Sequence, residues 1–146
     1  MTYLALFFLA MIGPIFPVVN TEALVVLRTA HGGIPTFVVL AAAAGQTVLF
    51  VLLWAVGEKG LARFKPVARR LAAWSPERRL RFEKGATWPL IAGAVLGIPP
   101  FVALAPLAGT IRYPFPALVA ISLVGRIIRF SVLVSAGAGI RHWMGA

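Results

Sequence analysis

Apolar residues gather in four blocks, roughly 3–27, 34–57, 86–110 and 115–140, separated by two short turns and one long basic stretch. Residues 34–57 pass without a formal charge. A helix over these 24 positions would reach about 36 Å, enough to cross a hydrocarbon core of ~30 Å. Soluble core helices of that length keep a polar face, and this block has none. The second and fourth blocks have no proline inside and predict continuous helices.

The first and third blocks are interrupted. Gly13-Pro14-Ile15-Phe16-Pro17 and then Asn20-Thr21-Glu22 break the first; Gly97-Ile98-Pro99-Pro100 and again Pro106 break the third. Proline removes a donor and clashes with the preceding turn, so clustered prolines end a helix. Broken backbone at membrane depth is tolerated only where it is buried in protein or lines a watery cavity. Both blocks therefore predict re-entrant hairpins, with tips at Pro14 and Pro17 and at Pro99 and Pro100. A kinked but complete span is the alternative for each.

Hairpin–helix followed by hairpin–helix suggests an internal repeat. Gly45, Phe50, Leu53 and Gly57 share their spacing with Gly125, Phe130, Leu133 and Gly137. The expected organisation is one membrane domain over 1–146: repeat one at about 3–57, a loop at 58–85 and repeat two at about 86–140. If each hairpin returns to its own side, each copy crosses once and the two run in opposite senses, the inverted plan of many transporters. This places both termini outside, whereas four complete spans would place both inside.

Composition strengthens the membrane reading, since 60% hydrophobic and 12% charged residues fall outside the soluble range. Charge then orients it. Loop 58–85 carries nine basic residues against Glu58, Glu77 and Glu83, for a net +6. The positive-inside rule accounts for this run without nucleic acid and makes the loop cytoplasmic, against anionic headgroups. Leu61, Phe64, Ala68 and Leu71 follow helical spacing opposite Arg63, Lys65, Arg69 and Arg70, predicting an amphipathic helix between Leu61 and Trp74. Ser75-Pro76-Glu77 predicts the start of a second helix, with Ser75 as N-cap. Met1-Thr2-Tyr3 lacks a basic n-region and a cleavage site, so the start is expected to read as mature sequence.

Against this background a few polar residues stand out. Glu22 is the only acid within the apolar blocks, and Arg126 and Arg129 share a face of the last one, with Ser122 extending it. Each such charge costs roughly 2.5–3.5 kcal/mol at a bilayer centre, so it needs partners, water or a substrate. Guanidinium groups suit phosphate and carboxylate. Two readings stay open: a structural ion pair with Glu22, and an anionic headgroup site. Asn20, Thr21, Gln46 and Thr47 could complete a polar pocket, with ordinary interhelical hydrogen bonding as the alternative. The runs Ala41–Gly45 and Gly137–Gly139 serve packing within the fold or a homo-oligomer equally well.

Enzyme readings fare poorly. Aspartate and cysteine are absent, and His31 and His142 lie apart. No metal-ligand, paired-carboxylate or phosphate-loop pattern occurs, so no catalysis, metal or cofactor is expected.

Pro17 with Asn20-Thr21-Glu22 is similar to the Pro-Gly-Asn-Ser-Glu stretch of the DedA/VTT membrane proteins. Gly45-Gln46 resembles the family's following Gly-Asn, and Ala108-Gly109 with Arg112 its Ala-Gly…Arg. Gly125-Arg126-Ile127-Ile128-Arg129-Phe130 resembles the Gly-Lys-x-x-Arg-Tyr of the short YqaA-like branch. The resemblance runs from about Pro14 to Ile140. It implies an all-α integral membrane protein of two facing re-entrant hairpins, multi-pass in the bacterial inner membrane. It also implies transport of an anionic lipid, undecaprenyl phosphate or phospholipid, with proton coupling at Glu22. Larger relatives carry arginines at the second hairpin, and the short branch an aspartate near the same tip. Gly97–Ala103 has neither, which leaves Arg126, Arg129 and Arg112 as the cationic candidates. A structural or envelope-homeostasis protein without transport and an exporter of small amphiphiles are the alternatives.

Overall fold

The computed structural model describes residues 1–16 and 18–143, so the expectation for Pro17 lies outside the described residues. Every α-helix or other regular element among the described residues is helical. The helices are α1 (Tyr3–Ile12), α2 (Thr21–Ala30), α3 (Pro35–Lys59), α4 (Lys65–Ala72), α5 (Pro76–Val95), α6 (Phe101–Thr110) and α7 (Phe115–Trp143). A 3-10 turn spans Leu61–Arg63. Two stretches, Pro35–Arg63 and Phe115–Gly139, are long and apolar enough to cross a membrane.

The predicted breaks are present at Gly13–Phe16 and at Gly97–Pro100, and the two long helices run without interruption. Thr21 and Glu22, expected to break the first segment, instead form the first turn of α2, because the Asn20 side chain caps it. Three further details differ from the sequence expectation. Pro106 does not break its segment, because α6 continues through it to Thr110; one missing donor in a packed ten-residue helix removes a single backbone bond. The second loop helix does not stop at residue 85 but continues as α5 to Val95, past Pro89. Its last turns are held by burial of Leu90, Gly93 and Ala94. The amphipathic helix after Leu61 begins only at Lys65, with Phe64 extended. Pro66 explains this, since a helix running through it would clash with the preceding turn.

The chain divides into two compact units, residues 1–49 with 123–146, and residues 50–122. In the first unit α1 packs on α2, and the core joins Leu6 and Ala10 of α1, Val25 of α2, Val38 and Ala42 of α3, and Phe130 of α7. Gly45 makes this close packing possible: a Cβ there would collide with the Phe7 carbonyl oxygen. Tyr3 ties the N-terminal helix to the start of α3, its hydroxyl accepting from the Ile34 amide at 3.1 Å. Arg28 lies over its ring, 5.0 Å from the centroid.

In the second unit α5 packs on α6. Phe50 and Phe101, both buried, meet with ring centroids 4.6 Å apart. Backbones approach closely here too: a Cβ on Gly57 would collide with the Pro106 carbonyl, and one on Gly109 with the Trp54 carbonyl. The Trp54 indole donates to the Tyr113 carbonyl at 3.1 Å, and the Tyr113 hydroxyl pairs with Thr87 at 2.7 Å.

A common register of 80 residues links several of these elements. Both α2 and α6 are ten residues long and begin at 21 and 101, while α3 and α7 begin at 35 and 115. The two short helices end in the same way. Gly33 N–H bonds the Arg28 carbonyl and Gly32 N–H that of Thr29; Tyr113 N–H bonds Ala108 and Arg112 N–H bonds Gly109. This is the Schellman cap, which needs one residue at positive φ. Gly32 (φ 83) supplies it at the end of α2 and Arg112 (φ 55) at the end of α6.

Candidate functional site

Glu22 occupies the first turn of α2, immediately after the first break. The local sequence places it there. Asn20 caps the helix, its Oδ1 accepting from the amides of Glu22 at 3.0 Å and Ala23 at 3.2 Å. A carboxylate in the first turn also lies favourably in the helix dipole. Thr21 is buried beside it, under Gly13, where a Cβ would collide with the Thr21 hydroxyl.

Arg129 projects from α7 to Glu22. Its Nε donates to Glu22 Oε1 at 2.8 Å, and its Nη2 donates to the same oxygen, completing a salt bridge. Side-chain exposure is 22% for Arg129 and 41% for Glu22, so the pair lies at the edge of the packed interior. Arg126, one turn earlier, is buried with 7% of its surface exposed. Its charged neighbours are Arg129 and Glu22. Both guanidiniums and the carboxylate thus belong to one electrostatic cluster.

Gln46 of α3 belongs to the same unit and is buried. Its Oε1 is shielded from solvent and receives no hydrogen bond from the described residues. Rotating the amide would present its NH2 instead. Thr47, next to it, is also buried.

The remaining predicted residues lie elsewhere. Pro14 follows α1 in the first break, half-buried. Pro99 and Pro100 form the exposed second break, with Ile98–Pro99 in the cis form. Ser122 is buried on α7 but belongs to the second unit. Arg112 also belongs there, exposed at the cap of α6. Sequence reasoning passed over Arg28, whose cation covers Tyr3 at the end of α2; a basic residue in a last helical turn was the available signal. It also passed over a cavity between α4, α5 and α6, whose walls alternate apolar residues and arginines along the loop.

No family model, curated protein or solved structure matches this chain.

Proposed function

We propose that this chain is a multi-pass inner-membrane protein that moves an anionic lipid, undecaprenyl phosphate or a phospholipid, across the bilayer without catalysing a reaction. The observation that carries the reading is the grouping of Glu22, Arg126 and Arg129 on apolar helices. Guanidiniums recognise phosphate as they do carboxylate, and a charge on an apolar helix costs roughly 2.5–3.5 kcal/mol in hydrocarbon, so a cluster of three such charges is suited to a lipid phosphate.

Several features support the membrane arrangement within this proposal. Helices α1, α2 and α6, at ten residues each, reach about 15 Å, half the ~30 Å core, as hairpins that enter and return would. The common register of 80 residues supports an inverted repeat. In the cycle that follows, the phosphate competes with Glu22 for Arg129, and a proton taken up by Glu22 releases that arginine. Gln46 supplies a further hydrogen-bonding group in the same unit.

The test is transbilayer movement of labelled undecaprenyl phosphate and labelled phospholipids in liposomes, comparing wild type with Glu22→Gln. Movement in the wild type, lost in a variant that stays folded, is the expected result. No movement of any lipid, with or without a proton gradient, overturns the proposal. A purely structural role is the second reading, favoured by the Glu22–Arg129 salt bridge, which is complete without a ligand.

A further inference from the structure

Within the second unit, α4, α5 and α6 line a half-open cavity of about 800 Å³, within the ~300–1,000 Å³ span of ligand sites. Leu71, Phe82 and Leu104 are among its apolar walls, and Arg70, Arg78 and Arg81 also line it. The three arginines are exposed. Arg78 lies over the Trp74 ring, 5.3 Å from its centroid, and Trp74 packs on Phe82 at 4.9 Å. No acidic residue among the described residues lines the space.

Such a site combines an oily interior with a cationic rim. We infer that this cavity binds a membrane phospholipid of net negative charge, its alkyl chain among Leu71, Phe82 and Leu104 and its phosphate at Arg70, Arg78 and Arg81. Charge complementarity selects this occupant. A zwitterionic lipid would leave its own cation beside three guanidiniums, and a free phosphate would leave the apolar walls exposed. The site lies in a different unit from Glu22, Arg126 and Arg129. It shares with the transport proposal only the placement in a membrane, so either can fail without the other.

Quenching of Trp74 by lipids with brominated chains tests the inference in vesicles holding the full chain. The Trp74 signal is the difference between wild type and Trp74→Phe. Brominated phosphatidylglycerol should reach half-maximal quenching at a lower mole fraction than brominated phosphatidylcholine. Replacing Arg70, Arg78 and Arg81 by Gln should weaken that preference roughly fivefold per arginine. Replacing Arg63, Arg69 and Lys84, cations of the same loop outside the cavity, should leave it unchanged. Gly85 lines the cavity and a Cβ there meets nothing within 4 Å, so Gly85→Leu has room to fold and should reduce quenching by both lipids. Inorganic phosphate should not displace the lipid. Equal quenching by the two lipids, an equal effect from the two sets of cations, or a dimer that neither lipid quenches would each overturn the inference.

Discussion

The hairpins α1–α2 and α5–α6 share a scaffold but not a chemistry. At the common register Asn20, Thr21 and Glu22 of the first stand where Pro100, Phe101 and Val102 stand in the second. Both second helices have ten residues and the same terminal cap. Only the first is capped by a side chain and carries a charge at its start. Glycines and buried apolar positions therefore accompany the shared helix lengths and caps, while the polar residues occur only at the start of α2. The buried pairs Val25 with Ala105 and Phe50 with Phe130 keep the register wherever the polar residues change.

The sharpest way to break the comparison is at the glycines of the long helices. A Cβ on Gly57 would collide with the Pro106 carbonyl, whereas one on Gly137, 80 residues on, meets the Val26 side chain at ordinary contact distance, 3.4 Å from Cγ1 and 3.9 Å from Cγ2. Gly57→Ala should cost about 3 kcal/mol or prevent folding. Gly137→Ala should be neutral or stabilise by up to about 1 kcal/mol through helix propensity. Thermal unfolding in detergent reads both.

Next comes the ion pair. Glu22→Gln removes the carboxylate that Arg129 pairs with and should destabilise by roughly 1–3 kcal/mol, less than a fully buried pair because Glu22 is 41% exposed. The position equivalent to Glu22 in the second hairpin carries no such load, and Val102→Ala should cost less by the same measurement. Cap chemistry gives the smaller effects. Asn20→Ala should cost about 1 kcal/mol, since the side chain satisfies two amides, while Pro100→Ala should change little. Arg112→Gly should stabilise by up to about 1 kcal/mol by relieving the positive φ, and Gly32→Ala should destabilise by a similar amount.

Much of the scaffold is legible in the sequence because its signals are local. The clusters around Pro14 and around Pro99 end helices wherever they occur, and Ser75 with Pro76 starts one, Ser75 accepting from Arg78 N–H at 3.2 Å. Less legible is what depends on neighbours. Pro106 looks like a break but is absorbed by a packed helix. Arg126 and Arg129 are three apart and share a helix face, so the sequence leaves open whether either meets Glu22 and which one. The packing of α7 against α2 makes it Arg129. The cavity has no motif at all, because it is the gap that α4, α5 and α6 leave between them.

The most direct test exchanges the charges of the Glu22–Arg129 pair. Glu22→Arg combined with Arg129→Glu keeps a salt bridge and should recover stability to within about 1 kcal/mol of wild type, the remainder being the helix dipole at α2. Lipid movement in liposomes is then measured with this double variant. A folded protein that moves no lipid is the predicted result, since the exchange reverses which groups a phosphate meets. Recovery of movement together with stability would contradict the account and make the charges structural.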